Sequence, residues 1–385
     1  MSSALSVPSA LPPVSVFFPC TGLGRQRRGF ETFTTEFAHA MRDHLRVRVS
    51  VFAGGGEAEQ GLRVLSNLPR DSRAAAVLGG LLRHEPYFIE QAGFFLSLLP
   101  HLVRESPDVV YFGDLNLGNL CWHWRRLTGA RYRLLFYNGG AMSTPYTRMD
   151  FVQQLTPSGL SDALARGEDA SRQIVLPHGV LAPGLLPPRI TGQDRASLGL
   201  PADRRIVLSV GMLDVAVKRM DYLIREVAAL EAPRPYLVLL GAASGDTPAL
   251  RALATALLGD DGCMLATVDR RELSRFYRAA DVFALASRRE GFGLAYVEAL
   301  LHGLPVVAHD SPVTRYVLGA HGDLRDLTKP GAATVAIQRA LGEPIDDRDR
   351  QTRFESARDR FGWNTLRDRY ADMLVSVAGV PMVGK

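Results

Sequence analysis

The sequence of 385 residues predicts an α/β protein with two doubly wound, Rossmann-like domains built on parallel sheets. Short apolar runs typical of buried strands alternate with helical patterns, first between residues 14 and 180 and again from residue 206 onwards. A proline-rich stretch, residues 182–201, separates the two series and is the best candidate for a linker. Two such alternating series indicate two parallel sheets, each with its own core.

The individual elements follow from these patterns in chain order. Strands of the first domain are predicted at residues 14–18, 47–52, 109–112, 134–137 and 173–176, with helices at about 30–44 and 88–104. Strands of the second domain are predicted at residues 206–210, 236–240, 263–268, 282–286 and 306–308, and a last helix at 361–377. The predicted domains are therefore residues 1–184 and 202–360, followed by a C-terminal helical segment at 361–385.

Composition indicates a soluble, globular protein, with 46% hydrophobic and 22% charged residues. No apolar run approaches the ~20 residues that span a bilayer. The first 13 residues lack a basic start and a long apolar stretch, so we expect a disordered lead-in rather than a signal peptide. The three cysteines are odd in number and far apart, which fits a cytoplasmic location and argues against a cysteine-based zinc site.

The balance of charge suggests affinity for anions, because the formal net charge is +5 and the isoelectric point is near 9.2. Charge alone does not separate a nucleotide sugar from a phospholipid surface or a nucleic acid. The chain has no interleaved aromatic and basic motif of the RNA-binding type and no zinc-finger spacing. We therefore do not expect a nucleic-acid partner, whereas peripheral membrane contact stays open.

The most informative segment is residues 290–298, with the sequence EGFGLAYVE. It follows an apolar strand pattern and leads into a helical one, so it predicts a strand, a glycine turn and a helix start. Backbone N–H groups at such a helix start suit a phosphate. Glu290 falls in the turn, and Glu298 falls about one helical turn later, on the face shared with Leu294 and Leu301. Two carboxylates that flank phosphate-binding amides describe a pocket for a nucleotide sugar.

A second segment supports this interpretation. The predicted strand at residues 206–210 ends in Gly211, and Lys218 and Arg219 follow in the next loop. Lysine occurs only at positions 218, 329 and 385, against 42 arginines. A compact ammonium group on a flexible stem is suited to a leaving phosphate, which favours a functional role for Lys218.

The segment from Glu290 to Glu298 resembles the donor-site signature of the retaining glycosyltransferases of family 4. These enzymes have the GT-B fold, in which two Rossmann-like domains face a central cleft. The resemblance implies that Glu290 contacts the transferred sugar and Glu298 the ribose, and that the last helix returns to the first domain. It also implies that the diphosphate is held by backbone groups of three residues, Phe292, Gly293 and Leu294.

The same resemblance implies a role for the loop after Gly211. In the family this loop places a lysine on the donor diphosphate, here Lys218, and usually an arginine six residues earlier, where this chain has Met212. Arg219 is a candidate to replace that arginine. The donor is then expected to be a UDP- or GDP-linked sugar, with its base near Val268 and the loop at residues 270–271.

In the first domain, Gly22 and Gly24 follow the first predicted strand. A dinucleotide-binding fingerprint is incomplete there, because Arg27 stands where the third glycine belongs. Either these glycines bring backbone amides close to the donor phosphate, or they form a plain tight turn. For the neighbouring Arg25, Arg27 and Arg28, a solvated rim is favoured over contact with phosphates.

Two further residues differ from the pattern of the family. Asn138 ends a predicted strand where the family often has a histidine next to the transferred sugar, and the resemblance places it in the catalytic site. His178 stands where the family commonly has asparagine before the linker, and packing near the hinge is favoured over a role as a base.

The predicted function is transfer of a sugar from a nucleoside-diphosphate sugar to an acceptor hydroxyl, as in a hexosyltransferase. No Asp-x-Asp metal motif follows a strand, so no metal or other cofactor is expected, and Lys218, helix amides and Arg219 would neutralise the leaving charge. Retention of configuration is implied by the resemblance alone. The acceptor stays open between a natural product, a lipid and a glycan. The alternatives are a non-catalytic GT-B-like partner with a degenerate donor site, a sugar-nucleotide epimerase and, less favoured, a NAD-dependent dehydrogenase.

Overall fold

The computed structural model describes residues 12–26, 29–58, 61–140 and 145–379. The chain divides into two compact units, the first comprising residues 1–180 and 363–385 and the second residues 181–362. Each unit contains one parallel sheet flanked by helices, which confirms the predicted fold class of two Rossmann-like domains. Residues 1–11 of the predicted 13-residue lead-in lie outside the described residues, and so do Arg27 and Arg28.

The sheet of the first unit has seven strands in the order β3-β2-β1-β4-β5-β6-β7, and every described pair is parallel. The central strand β4 is buried at every position, as expected for a strand covered on both faces. The strands are β1 (Val14–Cys20), β2 (Val47–Ala53), β3 (Leu62–Val64), β4 (Val109–Phe112), β5 (Arg133–Asn138), β6 (Phe151–Gln154) and β7 (Gln173–Val175). The helices that join them are α1 (Gly29–Met41), α2 (Arg73–Leu82), α3 (Pro86–Glu105), α4 (Leu115–Thr128) and α5 (Pro157–Ala165).

The sheet of the second unit has six parallel strands in the order β10-β9-β8-β11-β12-β13. The strands are β8 (Ile206–Val210), β9 (Tyr236–Leu240), β10 (Cys263–Ala266), β11 (Val282–Leu285), β12 (Val306–His309) and β13 (Gly322–Arg325). The helices are α6 (Met220–Ala228), α7 (Thr247–Leu258), α8 (Arg270–Ala279), α9 (Leu294–Leu301), α10 (Pro312–Leu318), α11 (Ala332–Gly342) and α12 (Asp347–Phe361).

Both sheets share the strand order that creates a topological switch point. The connections change direction between β1 and β4 in the first sheet, and between β8 and β11 in the second. Ligands of open parallel sheets bind beyond the carboxyl ends of the strands at such a point. Functional residues are therefore expected in the loops after these four strands.

The last helix, α13 (Trp363–Ala378), belongs to the first unit. Trp363 and Tyr370 pack against Phe33 and Phe37 of α1, with ring centroids 5.7–5.9 Å apart. The Tyr370 hydroxyl donates to the Pro177 carbonyl at 2.8 Å. Aromatic packing of this extent ties α13 to the core of the first unit.

Two segments differ from the predicted organisation. Residues 182–201 are packed rather than free, because they contain a 3₁₀ turn (Gly192–Leu198) and two arginines bonded to the second unit's Asp281. The helix α12, which the sequence analysis did not predict, begins at Asp347, and the carboxylate of the preceding Asp346 accepts the Arg348 amide at 2.8 Å. A carboxylate at this position caps the helix and favours its start.

The described helices include none that is long and apolar enough to cross a membrane. The three cysteines are free thiols. Within the described ranges, no group of three or more His, Cys, Asp and Glu side chains is placed to hold a metal ion.

Candidate functional site

The centre of the candidate site is an ion pair in the second unit between Lys218 and Glu290. Lys218 lies in the loop after β8, and Glu290 lies in the loop after β11, so the two loops flank the switch point of the sheet. The Lys218 ammonium nitrogen donates to Glu290 Oε1 at 2.6 Å. Their side chains are only 20% and 12% exposed, so the pair is partly shielded from water. The fold thus joins two residues that were singled out separately in the sequence.

The loop after β8 is shaped to hold Lys218 in this place. A Cβ atom on Gly211 would lie 3.1 Å from Cγ and Cδ of Lys218, so the lysine stem runs close over the glycine. The buried Asp214 carboxylate accepts the amides of Val217 at 2.6 Å and Lys218 at 2.9 Å. Asp214 was not singled out in the sequence, and it fixes the backbone that carries the lysine.

Arg219 is directed elsewhere. Its backbone is left-handed, with φ 53°, and it precedes α6. Its guanidinium donates to the Leu327 carbonyl at 2.6 Å and lies 4.3 Å from the centre of the Tyr222 ring. The structure therefore does not bring Arg219 to the pair of Lys218 and Glu290, and Met212 contributes no charge at the start of the loop.

The turn between Glu290 and α9 has the predicted glycine geometry. Gly293 has φ 86°, and a Cβ atom there would lie 2.5 Å from Cδ2 of Tyr296, so a larger residue would be both strained and obstructed. The buried Phe292 packs its ring against Phe361 at 5.3 Å. Leu294 is the first residue of α9, and the first amides of a helix have no carbonyl one turn earlier to bond. This helix start is suited to an anion.

Glu298 lies one turn into α9 and is held by two neighbours. Its Oε2 accepts the Tyr277 hydroxyl at 2.9 Å, and its Oε1 is 3.1 Å from Arg270 Nη2. Burial first, and the nearby Glu298 charge second, raise the pKa of Tyr277 well above its ordinary value, so the phenol stays a donor. Val268 lies in the loop after β10, two residues before Arg270. Of the residues predicted around the nucleoside, Glu298 therefore contacts Arg270, and Val268 is close to Arg270 along the chain.

His302, at the end of α9, contacts the backbone of Glu298 and the ring of Tyr277. Its ring stacks on Tyr277 with centroids 5.0 Å apart, its Nδ1 is 2.7 Å from the Glu298 carbonyl, and its Nε2 is 2.8 Å from the Ser274 hydroxyl. Since a carbonyl only accepts, Nδ1 carries the proton and Nε2 accepts. Burial first lowers the pKa of His302 to about 4, and the charges of Arg278 and Arg350 act in the same direction.

We expect His302 to make stability depend on pH. The pKa falls from 6.5 to about 4 on folding, so the unfolded chain binds the proton more readily. The contribution is fully present above pH 6.5 and is lost as pH falls towards 4, by up to about 3 kcal/mol. Urea unfolding at several pH values gives the free energy of unfolding as a function of pH. This free energy should change less steeply with pH in His302→Gln than in the wild type. The control is His39→Gln, at an exposed histidine. If the free energy of unfolding depended on pH equally in all three proteins, His302 would not be the source of the pH dependence.

In the first unit, Gly22 and Gly24 form a close-packed turn after β1. The amides of Arg25 and Gln26 donate to the Gly22 carbonyl at 3.1 and 2.7 Å. Gly24 has φ 81°, and a Cβ atom there would lie 2.1 Å from the Gly55 carbonyl oxygen. The close approach to Gly55 explains Gly24 by packing, which favours the tight-turn interpretation.

Arg25 is exposed and also takes part in an ion pair. Its guanidinium lies 3.4 Å from Oε1 of the buried Glu90, and Arg70 donates to the other oxygen at 2.6 Å. Arg25 thus keeps the exposure expected of a rim residue while its guanidinium also lies near a buried carboxylate.

Asn138, at the end of β5, is buried in the first unit. Its amide nitrogen donates to the Tyr146 hydroxyl at 3.0 Å and to Gln154 Oε1 at 2.9 Å. His178 is also buried, with its ring 4.6 Å from that of Phe33. The contact between His178 and Phe33 agrees with a packing role for the histidine.

A cavity of about 520 Å³ lies in the first unit beyond the carboxyl end of β4. Asp114 at its wall accepts the Thr21 hydroxyl at 2.9 Å, which joins the loops on both sides of the first switch point. No strong motif marks this cavity in the sequence, because amide and hydroxyl side chains carry no distinctive spacing. The polar lining side chains are Tyr87, Gln91, Asp114, Asn116, Asn119, Thr147 and Arg148. A smaller cavity of about 320 Å³ in the second unit is lined by Pro305 and Gly322, at the amino ends of β12 and β13. Glu290 lies beyond the carboxyl end of β11, at the other end of the strands.

Two Rossmann-like units with functional loops at their switch points define the class of GT-B proteins. Residues 191–359 match the family model described as glycosyl transferases group 1, and this part of the chain belongs to that family. The predicted family is thereby confirmed. Lys218, Glu290 and Glu298 all lie within the matched residues.

Among curated proteins, the chain is similar to D-inositol 3-phosphate glycosyltransferase of Xylanimonas cellulosilytica. The two are 33% identical over 217 residues, which is 51% of this chain and 50% of the relative. The chain therefore spans about half the length of the curated relatives it matches.

Solved structures align with nearly the whole chain. Sucrose-phosphate synthase from Thermosynechococcus elongatus has a TM-score of 0.77 at 19% identity and covers 95% of this chain and 99% of its own. The Anabaena protein HepE in complex with UDP-glucose has a TM-score of 0.71 at 20% identity, with 94% and 99% covered. At these identities the comparisons establish the fold, and they confirm the GT-B class.

Proposed function

We propose that the chain is a retaining glycosyltransferase that takes a sugar from a nucleoside-diphosphate sugar and needs no metal. The observation that carries this proposal is the contact of 2.6 Å between Lys218 and Glu290, beside the start of α9 at the second switch point. A cation, a sugar-binding carboxylate and a phosphate-suited helix start within one parallel sheet are the parts that such a donor requires.

Each residue takes a distinct part of the donor in this proposal. Lys218 and the first amides of α9 bind the diphosphate, which releases the Glu290 carboxylate to accept hydroxyls of the sugar. Glu298, oriented by Tyr277 and Arg270, accepts a ribose hydroxyl. HepE has been solved with UDP and with UDP-glucose, which supports uridine as the base.

A second cation for the diphosphate is supplied by residues that the sequence analysis did not single out. Arg288 and Arg289 immediately precede Glu290 in the loop after β11, and both are exposed. Since Arg219 is held on Leu327 and position 212 is methionine, these two arginines are the better candidates to assist Lys218. Two guanidinium groups at the mouth of the site would attract an anionic donor.

The proposed chemistry needs only the donor and the acceptor. The bond from the anomeric carbon to the phosphate oxygen breaks, the acceptor oxygen bonds to that carbon on the same face, and the leaving phosphate takes the acceptor proton. Lys218 and backbone amides stabilise the charge that develops on the phosphate, which is the role a metal would otherwise fill.

We further propose that the acceptor is polyhydroxylated and binds in the cavity of the first unit. Hydroxyl groups both donate and accept, and the amides of Asn116, Asn119 and Gln91 can do the same. The curated relatives are named for an inositol phosphate acceptor, which agrees with this chemistry. Product formation from UDP-sugars with a panel of sugars and polyols tests it, and transfer only to apolar aglycones would refute it.

The donor is tested by thermal stabilisation with UDP, GDP, ADP, TDP and CDP, each with magnesium and with EDTA. Saturation at a hundred times the dissociation constant adds about 2.7 kcal/mol of stability, which is readily detected. Stabilisation by one nucleotide in EDTA, with turnover of its sugar and an unchanged anomeric configuration by NMR, supports the proposal. If no nucleotide stabilised the chain and no donor sugar were turned over, the alternative of a non-catalytic GT-B-like partner would be favoured.

Replacing Glu298 by alanine should weaken UDP binding by roughly 10- to 150-fold, because a hydrogen bond to a charged group contributes ~1.5–3 kcal/mol. The wild type should also prefer UDP over 2′,3′-dideoxy-UDP, and the variant should lose that preference. Calorimetric titration measures both. Glu272→Ala on the neighbouring α8, where the carboxylate pairs with Arg275 at the surface, is the matched control. Equal affinity for UDP in wild type and Glu298→Ala would remove the ribose role.

A further inference from the structure

We propose that the ion pair of Lys218 and Glu290 makes the donor site prefer an intact nucleotide sugar to the nucleoside diphosphate that is left after transfer. The preference rests on the proposed function, because it concerns the same site. Its starting point is that one ammonium group is assigned two partners. Lys218 donates to Glu290 Oε1 at 2.6 Å, and the same ammonium is assigned to the diphosphate of the donor.

Glu290 depends on this lysine for its pairing. Among the residues that the structure describes, no side chain other than Lys218 forms a hydrogen bond or an ion pair with its carboxylate. The neighbouring Arg219 is held on the Leu327 carbonyl. Because the Glu290 side chain is only 12% exposed, water replaces a lost ammonium incompletely. A carboxylate that loses its partner in such a place is destabilised.

Lys218 has little freedom to serve both partners at once. Its amide donates to the Asp214 carboxylate at 2.9 Å, which fixes the backbone. A Cβ atom on Gly211 would lie 3.1–3.2 Å from Cγ, Cδ and Cε of the lysine, so the stem lies against the glycine along most of its length. Only the end of the side chain is left to turn from the carboxylate towards a phosphate. Binding of a diphosphate therefore weakens the bond to Glu290.

Free UDP and a UDP-sugar differ in what they offer to Glu290. Both contain a diphosphate that draws the ammonium away and brings negative charge towards the carboxylate. The sugar of the intact donor supplies hydroxyl groups, which donate to the carboxylate and replace the lost bond. UDP lacks the sugar, so the full cost of separating the ion pair lowers its affinity.

The same contact acts again after transfer. Once the sugar has moved to the acceptor, Glu290 has lost its hydroxyl partners and attracts Lys218 back from the diphosphate. The ion pair thus weakens retention of the product. Because release of product limits the turnover of many enzymes, a site that holds UDP less tightly than the donor sustains a higher kcat.

The experiment is calorimetric titration of the wild type and of Glu290→Gln, which keeps the size of the side chain and removes its charge. The ligands are UDP and the UDP-sugar that the wild type binds most tightly among UDP-glucose, UDP-galactose and UDP-N-acetylglucosamine. We expect UDP to bind roughly tenfold more tightly to Glu290→Gln, which corresponds to about 1.4 kcal/mol. The UDP-sugar should gain less or lose affinity, because its hydroxyls meet a neutral amide instead of a carboxylate.

A double-mutant cycle separates the ion pair from direct repulsion between Glu290 and the diphosphate. In the Lys218→Ala background, Glu290→Gln should tighten UDP binding by no more than roughly threefold, because no ammonium is left to release. An equal gain in both backgrounds would overturn the role of the pair. The matched control is Glu231→Gln, which removes the charge of an exposed carboxylate of the same unit and should leave the affinity for UDP unchanged.

Folding of each variant is checked by its unfolding temperature, and Glu290→Ser replaces Glu290→Gln if the latter does not fold. Equal affinity for UDP in wild type and Glu290→Gln, or an equal gain for UDP and the UDP-sugar, would overturn the proposal while the proposed glycosyltransferase function stands. No binding of UDP or of any of the three UDP-sugars by the wild type would instead refute the uridine donor site, and this preference with it.

Discussion

Replacing Lys218 by alanine is expected to lower turnover of the donor sugar by roughly 10²–10³-fold, while the chain stays folded. This is the range seen when one preorganised donor to a developing negative charge is removed. The loss should be mainly in kcat, because the charge on the leaving diphosphate grows as the sugar departs, and the ammonium interacts more strongly with it then.

The structure gives the reason why the neighbouring Arg219 should not compensate. The lysine is held by the Asp214 carboxylate and by the close approach of its stem to Gly211, so its ammonium reaches Glu290 without further rearrangement. Arg219, the next residue, donates to the Leu327 carbonyl. Lys218→Arg should recover only part of the activity, since a planar guanidinium does not reproduce the position of a compact ammonium.

Lys329 provides a matched control, because it is a lysine of the same unit that is 77% exposed and lies 3.8 Å from Asp326. Lys329→Ala should leave kcat, KM and the stabilisation by UDP unchanged. Steady-state kinetics and thermal shifts with UDP are measured on Lys218→Ala, Lys218→Arg and Lys329→Ala. If Lys218→Ala retained wild-type kcat, the assignment of the leaving-group cation would be lost, even with the fold and the family unaffected.

The parts of the fold that could be predicted are those set by short-range patterns. Parallel strands such as β4 and β11 are buried on both faces and leave continuous apolar runs in the sequence. The turn at Gly293 was predictable because glycine tolerates the left-handed backbone that must precede α9. The helix α2 was not predicted, since its alanines and glycines carry little periodic signal.

The parts that could not be predicted depend on contacts through space. Nothing in the local sequence shows that Arg219 takes a left-handed conformation and turns towards Leu327. The role of Asp214 is hidden for the same reason, because its partners are backbone amides, which every residue has. The buried Glu90, with arginines from two separate loops, appears only once β1, β3 and α3 are assembled.

Replacing Asp281 by asparagine is expected to destabilise the second unit by about 3–5 kcal/mol, the usual cost of breaking a buried ion pair from one side. Asp281 precedes β11 and is buried together with Arg195, whose Nη2 lies 3.0 Å from Oδ2. Arg189 at 2.5 Å and Arg205 at 3.2 Å share Oδ1, and the Ile206 amide donates to Oδ2 at 2.8 Å.

The pH dependence of this cluster has a definite sign. Burial alone would raise the pKa of Asp281, but the Ile206 amide and the charges of Arg195 and Arg189 outweigh it, so the pKa lies below its ordinary value of 3.8. The carboxylate therefore contributes stability that is present above pH 3.8 and is lost as pH falls below it. Asp281→Asn should remove that acid-sensitive part of the stability curve.

The measurement must distinguish the second unit from the first, because a chain of two units need not unfold in one step. All three tryptophans, at positions 122, 124 and 363, lie in the first unit, so their fluorescence follows that unit. Hydrogen exchange in peptides that span β8 and β11 follows the second. Asp281→Asn should speed exchange in these strands, whereas the exposed Asp260→Asn should change stability by less than about 0.5 kcal/mol. Unchanged protection in β8 and β11 would mean that the arginines find other partners, and that the residues before β8 are held by apolar packing instead of by this carboxylate.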